Sequence, residues 1–286
     1  MKAILDIGVL GLTVIMMFSV GLELKLRYFR QLSKDSLAIT TILLTQIVLI
    51  PTVGILVSQI LDLPPVVRSG ILLIAACPVG DTANFFTLMG TGDLAISVTT
   101  SVISCLISPV SMTIIFAAYG RVLGTSFAFA TPGWGLVFRF FFLISVPMAA
   151  GIGVRLANIP RTDQISRSVR LLSLIGILAI VVYVIVSRFH QLESDWRPAI
   201  RASVPLALAA MMLGWTISRA LKLDRNRSFA FLISFAVRNV GLAATIAISI
   251  MNRLEYAVFS TIYFLSEVML VFAAIVAFRL CGAKWP

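Results

Sequence analysis

Histidine occurs once in this chain of 286 residues, cysteine three times, and charged side chains make up only 12% of it. Cys77, Cys105 and Cys281 lie within or at the ends of apolar runs, with no CxxC pair and no histidine cluster beside them. That pattern predicts neither a disulfide framework nor a metal site, and no cofactor is implied. The lone histidine, His190, falls in a loop and reads as a solvated residue. No nucleophile–base constellation, phosphate-binding glycine loop or HExxH helix occurs, so an enzyme reading has no residues to carry it. Low-complexity linkers are absent too, which points to one domain over residues 1–286. The first apolar run begins at Ile4 with no sizeable basic segment ahead of it and is followed by further runs, as expected of a retained first helix.

What fills the chain instead is apolar: 59% of residues are hydrophobic and the mean hydropathy is +1.04. A soluble core cannot absorb so much apolar surface, so the expectation is an all-α polytopic membrane protein in contact with the lipid bilayer. Nine runs of bilayer length can be marked, at about 4–24, 37–60, 66–89, 93–119, 133–155, 169–188, 198–220, 228–251 and 256–280. The net charge of +11 sits in short loops between these runs, not in one patch interleaved with aromatics, which argues against nucleic acid. Placing the N-terminus outside gathers Lys25, Arg27, Arg30 and Lys34, then Arg155, Arg161, Arg167 and Arg170, then Arg219, Lys222, Arg225 and Arg227 on the cytoplasmic side. The positive-inside bias therefore predicts an inner (cytoplasmic) membrane protein with its N-terminus outside and its C-terminus inside.

Two of the nine runs are interrupted. In the third, Ile71 to Ala76 meets Pro78, Gly80, Asp81 and Asn84 before turning apolar again; in the eighth, Ser234, Arg238, Asn239 and Gly241 intervene. Proline removes a backbone donor and glycine loosens the chain, so both runs are expected to be discontinuous helices. With an odd number of spans, runs one to four and six to nine match in order but enter the membrane from opposite sides. Residues 1–119 and 169–286 would then be inverted repeats joined by the helix at 133–155, with the breaks as their third members, the arrangement of a secondary transporter's binding site.

Within the breaks, Arg238 lies near the middle of its span, where a charge needs a partner, water or a function. It reads as a fixed ion pair, an anion anchor or a built-in replacement for a metal ion. Asp81 reads as a cap on a half-helix Thr82–Met89, as a partner for Arg238, or as a protonatable group coupling transport to a proton. Asn84 and Asn239 occupy matching breaks and are expected, with Arg238 and Asp81, to touch substrate. Glu267, mid-span in the ninth run, is expected to face a cavity or a charge partner. Arg139 is expected to snorkel, and Trp134, Trp196 and Trp285 to anchor at the interfaces.

Met17-Phe18-Ser19-Val20-Gly21-Leu22-Glu23-Leu24, Ala76-Cys77-Pro78-Val79-Gly80-Asp81-Thr82-Ala83-Asn84, Asp93-Leu94-Ala95-Ile96-Ser97-Val98 and Arg238-Asn239-Val240-Gly241-Leu242-Ala243 together resemble the bile acid:sodium symporter family, over nearly the whole chain. The resemblance implies a core domain with crossed, broken helices, a panel domain that moves against it, a substrate cavity beside the crossing and two sodium sites behind it. Carried over by position, Gln46, Asn84, Ser97 and Ser101 fall on sodium-liganding positions, and Asn84 and Asn239 border the substrate. Three positions depart: the family's sodium-binding Glu falls at Ser234, its sodium-binding Gln at Arg238, and a small polar position at Ala83. One Glu with two sodium ions and one Arg with neither give the same local charge of +1. A guanidinium, moreover, offers donors only. The resulting expectation is a secondary transporter of an organic anion, bile-acid-like or a small carboxylate, working by alternating access without assured sodium coupling. A proton-coupled or uncoupled transporter or exporter of the same fold is the alternative. A channel, the remaining one, would want rings of like residues or a continuous pore.

Overall fold

The computed structural model describes residues 2–25, 28, 36–122, 133–157, 161–187 and 189–281, with the side chains of 2–5, 133, 189–195 and 281 outside the description. The expectations for the side chains of His190 and Cys281, for Trp285 and for the basic residues Arg27, Arg30 and Lys34 fall outside it as well.

The chain is helical almost throughout; among the described residues the sole β-pairing is one isolated bridge. The helices are α1 (Lys2–Glu23), α2 (Ser36–Ile60), α3 (Pro65–Ala76), α4 (Thr82–Met89), α5 (Leu94–Val122), α6 (Gly133–Phe140), α7 (Val146–Leu156), α8 (Thr162–Ser187), α9 (Phe189–Ala220), α10 (Arg225–Ala236), α11 (Val240–Thr245) and α12 (Leu254–Cys281). A π-helical turn, Phe141–Ser145, joins α6 to α7 as one span, and a second, Ile246–Ile250, extends α11. Among the described residues, seven helical segments are long and apolar enough to cross a bilayer, by length and composition: α1, α2, α5, the α6–α7 unit, α8, α9 and α12. The other two apolar segments are the interrupted ones, α3–α4 and α10–α11.

Local chemistry accounts for the first interruption, and an extended residue ends the helix at the second. Cys77 precedes a proline and is driven to an extended conformation, φ −63° and ψ 148°, which ends α3. Val237 does the same for α10, at φ −81° and ψ 107°. The two extended stretches then satisfy each other's freed backbone groups. Val79 and Arg238 form the antiparallel bridge, Gly80 N–H donates to Val237 O at 3.1 Å, and Asn239 N–H donates to Pro78 O at 3.0 Å. Broken backbone is tolerated at membrane depth only when it is satisfied by protein in this way. Gly80 is required at the contact, because a Cβ there would lie 2.8 Å from Arg238 O.

Beneath the crossing runs α5, whose Ser97, Thr99, Thr100, Ser101, Ser104 and Ser108 are buried; Ser104 Oγ accepts the Val79 N–H at 3.2 Å. On one flank α1 packs against α7 at glycines. A Cβ on Gly21 would meet Met148 O and one on Gly151 would meet Phe18 O, so the two backbones touch. Helix α8 lies against α1, and α9, α10 and α12 pack on one another around the second break.

Candidate functional site

Arg238 sits at the crossing and is 4% exposed. Its Nη2 donates to Ala75 O at 3.0 Å and to Cys77 O, so the guanidinium rests on the last carbonyls of α3. Those carbonyls have no intrahelical partner and carry the negative end of the helix dipole, which a cation there neutralises. Nε and Nη1 have no protein partner, and among the described residues no carboxylate oxygen lies within 4.0 Å of the guanidinium. Glu267, fully buried on α12, turns Oε2 to the backbone N–H of Arg238 at 3.2 Å and leaves Oε1 without a partner. Gln46 Nε2 donates to Ser234 O at 2.8 Å, while the Ser234 hydroxyl is unpartnered. Asn239 caps α11, its Oδ1 accepting the Leu242 N–H at 2.9 Å, with Nδ2 unpartnered. Asp81 caps α4 through the Thr82 N–H at 3.0 Å.

A second polar chain leads from Asn84 to a cavity of about 290 Å³. Asn84 Oδ1 accepts from Ser97 Oγ at 2.8 Å and Ser101 Oγ at 3.3 Å, and Thr87 Oγ1 donates to Ser97 Oγ at 3.2 Å. The Asn84 amide donates to Glu23 Oε2 at 2.6 Å, and Glu23 Oε1 pairs with Arg170 Nη2 at 2.7 Å. The cavity opens between Glu23, Lys25 and Tyr28 at the end of α1, Arg155 on α7, Asp163, Ser166, Arg167 and Arg170 on α8, and Asn84, Leu88, Leu94 and Val98 on α4 and α5. Asp163 pairs with Arg155 at 2.7 Å and with Lys25 at 3.7 Å. Among the described residues, four basic against two acidic side chains leave the lining at +2. Midway along α1 the helix meets α11: Thr13 and Thr245 share a hydrogen bond of 2.5 Å, and Met16 lies against Gly241.

Helical breaks that cross back to back beside a cationic cavity belong to a membrane transporter. The sequence profile of the Sodium Bile acid symporter family matches residues 9–195, about two thirds of the chain. The chain belongs to that family. Members of the family are transporters and not enzymes, and this is an integral membrane protein of that kind. Three relatives give the range. The uncharacterised sodium-dependent transporter YocS of Bacillus subtilis is 26% identical over 259 residues, 90% of this chain and 79% of its own. The human ileal sodium/bile acid cotransporter is 24% identical over 286 residues, 96% of this chain and 80% of its own. The probable chloroplastic sodium/metabolite cotransporter BASS1 of Arabidopsis thaliana is 23% identical over 246 residues, and the chain spans only 58% of that protein's length.

Family membership raises sodium, and the donor sets at the two positions differ. Around Gln46, Ser234 and Arg238 there is a permanent cation, an amide nitrogen donating to Ser234 O, and no carboxylate on α10; that set does not fit a cation. Asn84, Ser97 and Ser101 do offer neutral oxygens, which bond to one another. Of the four residues expected to touch substrate, Asn84 lines the cavity, whereas Asp81, Arg238 and Asn239 lie at the crossing outside its lining. Glu267 stands beside the Arg238 backbone. The sequence reading missed Glu23 and Arg170. Glu23 entered only as part of the Met17–Leu24 stretch that carries the resemblance, and Arg170 as one of the cytoplasmic charges; a carboxylate in the last turn of one apolar run and an arginine in the first turns of another were the available signal.

Proposed function

We propose that this symporter-family chain carries a small organic anion across the cytoplasmic membrane by alternating access, N-terminus outside, with α1, α6–α7 and α8 moving as a panel against a core built on the crossing. The supporting observation is the cavity lined by four basic and two acidic side chains, which ends on Asn84 at one side of the crossing, with α1 held to α11 at Thr13–Thr245. A cationic recess raises the local concentration of anions, and half-helix ends at its floor offer dipoles and backbone groups to them. Residues 1–119 and 169–286 then act as inverted repeats about the 133–155 helix, which gives the two access states.

On this reading sodium is not taken at the Gln46–Ser234–Arg238 position, because the Arg238 charge stands there. The relatives named as sodium-dependent would differ from this chain in that respect. The test is uptake and counterflow of labelled taurocholate, pyruvate and pantothenate in vesicles of purified protein, under sodium, potassium or proton gradients. Saturable counterflow with at least one of these anions, not raised by sodium over potassium, is expected. Flux without counterflow would point to a channel, and flux strictly dependent on sodium would refute the coupling reading. The proton arm has its own motive, since Glu23 is a buried carboxylate bridging the cavity to the crossing.

A further inference from the structure

Glu23 is anchored on α1 at the inner end of the cavity, and its side chain is 6% exposed. One carboxylate oxygen is held by the Arg170 guanidinium at 2.7 Å and the other by the Asn84 amide at 2.6 Å. These are two charge-assisted contacts of the kind that recognise carboxylates. The excess of basic residues on this side of the membrane explains why an arginine is present on α8. It does not explain why that arginine turns inward to a carboxylate that also reaches the helix crossing. The pocket floor therefore already holds a carboxylate, and that carboxylate belongs to the protein.

We propose that Arg170 and Asn84 form a carboxylate-binding subsite which Glu23 occupies in this conformation, and which a carboxylate of the transported anion takes in exchange. The proposal rests on the organic-anion reading above. Exchange removes the Glu23–Asn84 bond, which ties α1 to the half-helix α4, so occupation by substrate frees α1 from the crossing while the bound carboxylate bridges Arg170 on α8 to Asn84. In the resting protein a tethered carboxylate competes at an effective concentration of about millimolar or more, so free monocarboxylates bind weakly.

The experiment uses the full chain in detergent. Glu23→Ala removes CH₂–COO⁻ beyond Cβ, the atoms of an acetate ion, while Arg170, about one third exposed, stays hydrated. Sodium acetate to 50 mM, against chloride and the neutral isostere acetamide at matched ionic strength, should raise the melting temperature of Glu23→Ala saturably, by about 2–4 °C. The parent should need at least about tenfold more acetate for the same shift, and Glu23→Ala with Arg170→Ala should show none. No acetate-specific shift in Glu23→Ala, or an equal shift in the parent or in the double variant, overturns the proposal. If Glu23→Ala is recovered folded only from acetate-containing buffers and not from chloride, that recovery supports it; recovery from neither overturns it. The readout requires no transport. Acetate rescue without flux would fault the transport reading alone, and flux without rescue would place the anion elsewhere in the cavity.

Discussion

Exchanging Arg238 and Ser234 for glutamine and glutamate should convert this protein from indifferent to responsive toward sodium. The guanidinium lies on Ala75 O and Cys77 O, and Ser234 stands four residues before Arg238, across the end of α10. A sodium ion held by Gln46 and Ser234 oxygens and taken, for scale, as about 5 Å from that charge would be repelled by it, an effect that Glu267 offsets in part when ionised. At an effective dielectric of 20 the repulsion is about 3 kcal/mol, roughly a hundredfold in affinity before any missing ligand is counted. Arg238→Gln removes the repulsion and frees the two carbonyls; Ser234→Glu supplies a carboxylate.

Purified protein titrated with sodium chloride against potassium chloride at constant ionic strength gives the assay, read as melting temperature. The parent should show no difference between the two salts. A sodium-specific, saturable rise in the parent below about 50 mM, where site binding shifts stability by mass action, would refute the reasoning. Ser234→Glu with Arg238→Gln should gain such a rise. Arg238→Gln alone is expected to be less stable than the parent, because Glu267 then loses the nearby cation that its burial relies on.

Three shorter predictions follow. Gly80→Ala should destabilise by about 1–3 kcal/mol through overpacking at the crossing, since its Cβ would meet Arg238 O at 2.8 Å, whereas Gly153→Ala, with nothing within 4 Å, should be silent in the same thermal assay. Asn84→Ala and Asn239→Ala should yield folded protein; if Asn84 contacts the anion, counterflow of whichever probe is transported should need several-fold more substrate in Asn84→Ala, and unchanged half-saturation in both variants would remove them from the site. Gln164→Cys, on the cavity side, should react with impermeant thiol reagents only from the cytoplasm and Arg253→Cys only from outside, in a Cys281→Ser background where Cys77 and Cys105 are buried; the reverse pattern would overturn the orientation.

The two breaks were readable because proline, glycine, a carboxylate and amides interrupt apolar runs, and the half-helix after Asp81 runs over Thr82–Met89 as the sequence predicts. The run at 66–89, expected to be discontinuous, divides after Ala76 and resumes at Thr82. Less was legible in the contacts of the charges. Arg238 invited a search for an acidic partner, yet the groups it binds are backbone carbonyls, which every residue possesses and no residue name announces. Glu267 approaches Arg238 through a main-chain N–H, equally invisible in a sequence. Glu23 and Arg170 lie in different helices, and only the packing of α8 on α1 brings them together. The glycine contacts that hold α1 to α7 are the same kind of information: small residues are visible, but which backbone they admit is not.

The charge balance at the crossing differs from the one the sequence suggests. Counting Arg238 alone gives +1, the value of one glutamate with two sodium ions. Glu267 is bonded to the backbone of that same arginine, so the pair carries a compensated charge whenever the carboxyl is ionised. The positive charge also sits asymmetrically. It lies against the C-terminal carbonyls of α3, while carboxylates lie on the other side, with Asp81 capping α4 and Glu23 reaching Asn84. A mobile cation could shuttle between two such positions; a side-chain cation cannot leave its own. If Arg238 takes the place of one ion and Glu23 that of the substrate's carboxylate, both solutes have tethered substitutes at rest. The conformational equilibrium is then governed by exchange at the cavity floor, where Glu23 can be displaced, and not by ion occupancy behind the crossing, where Arg238 is fixed.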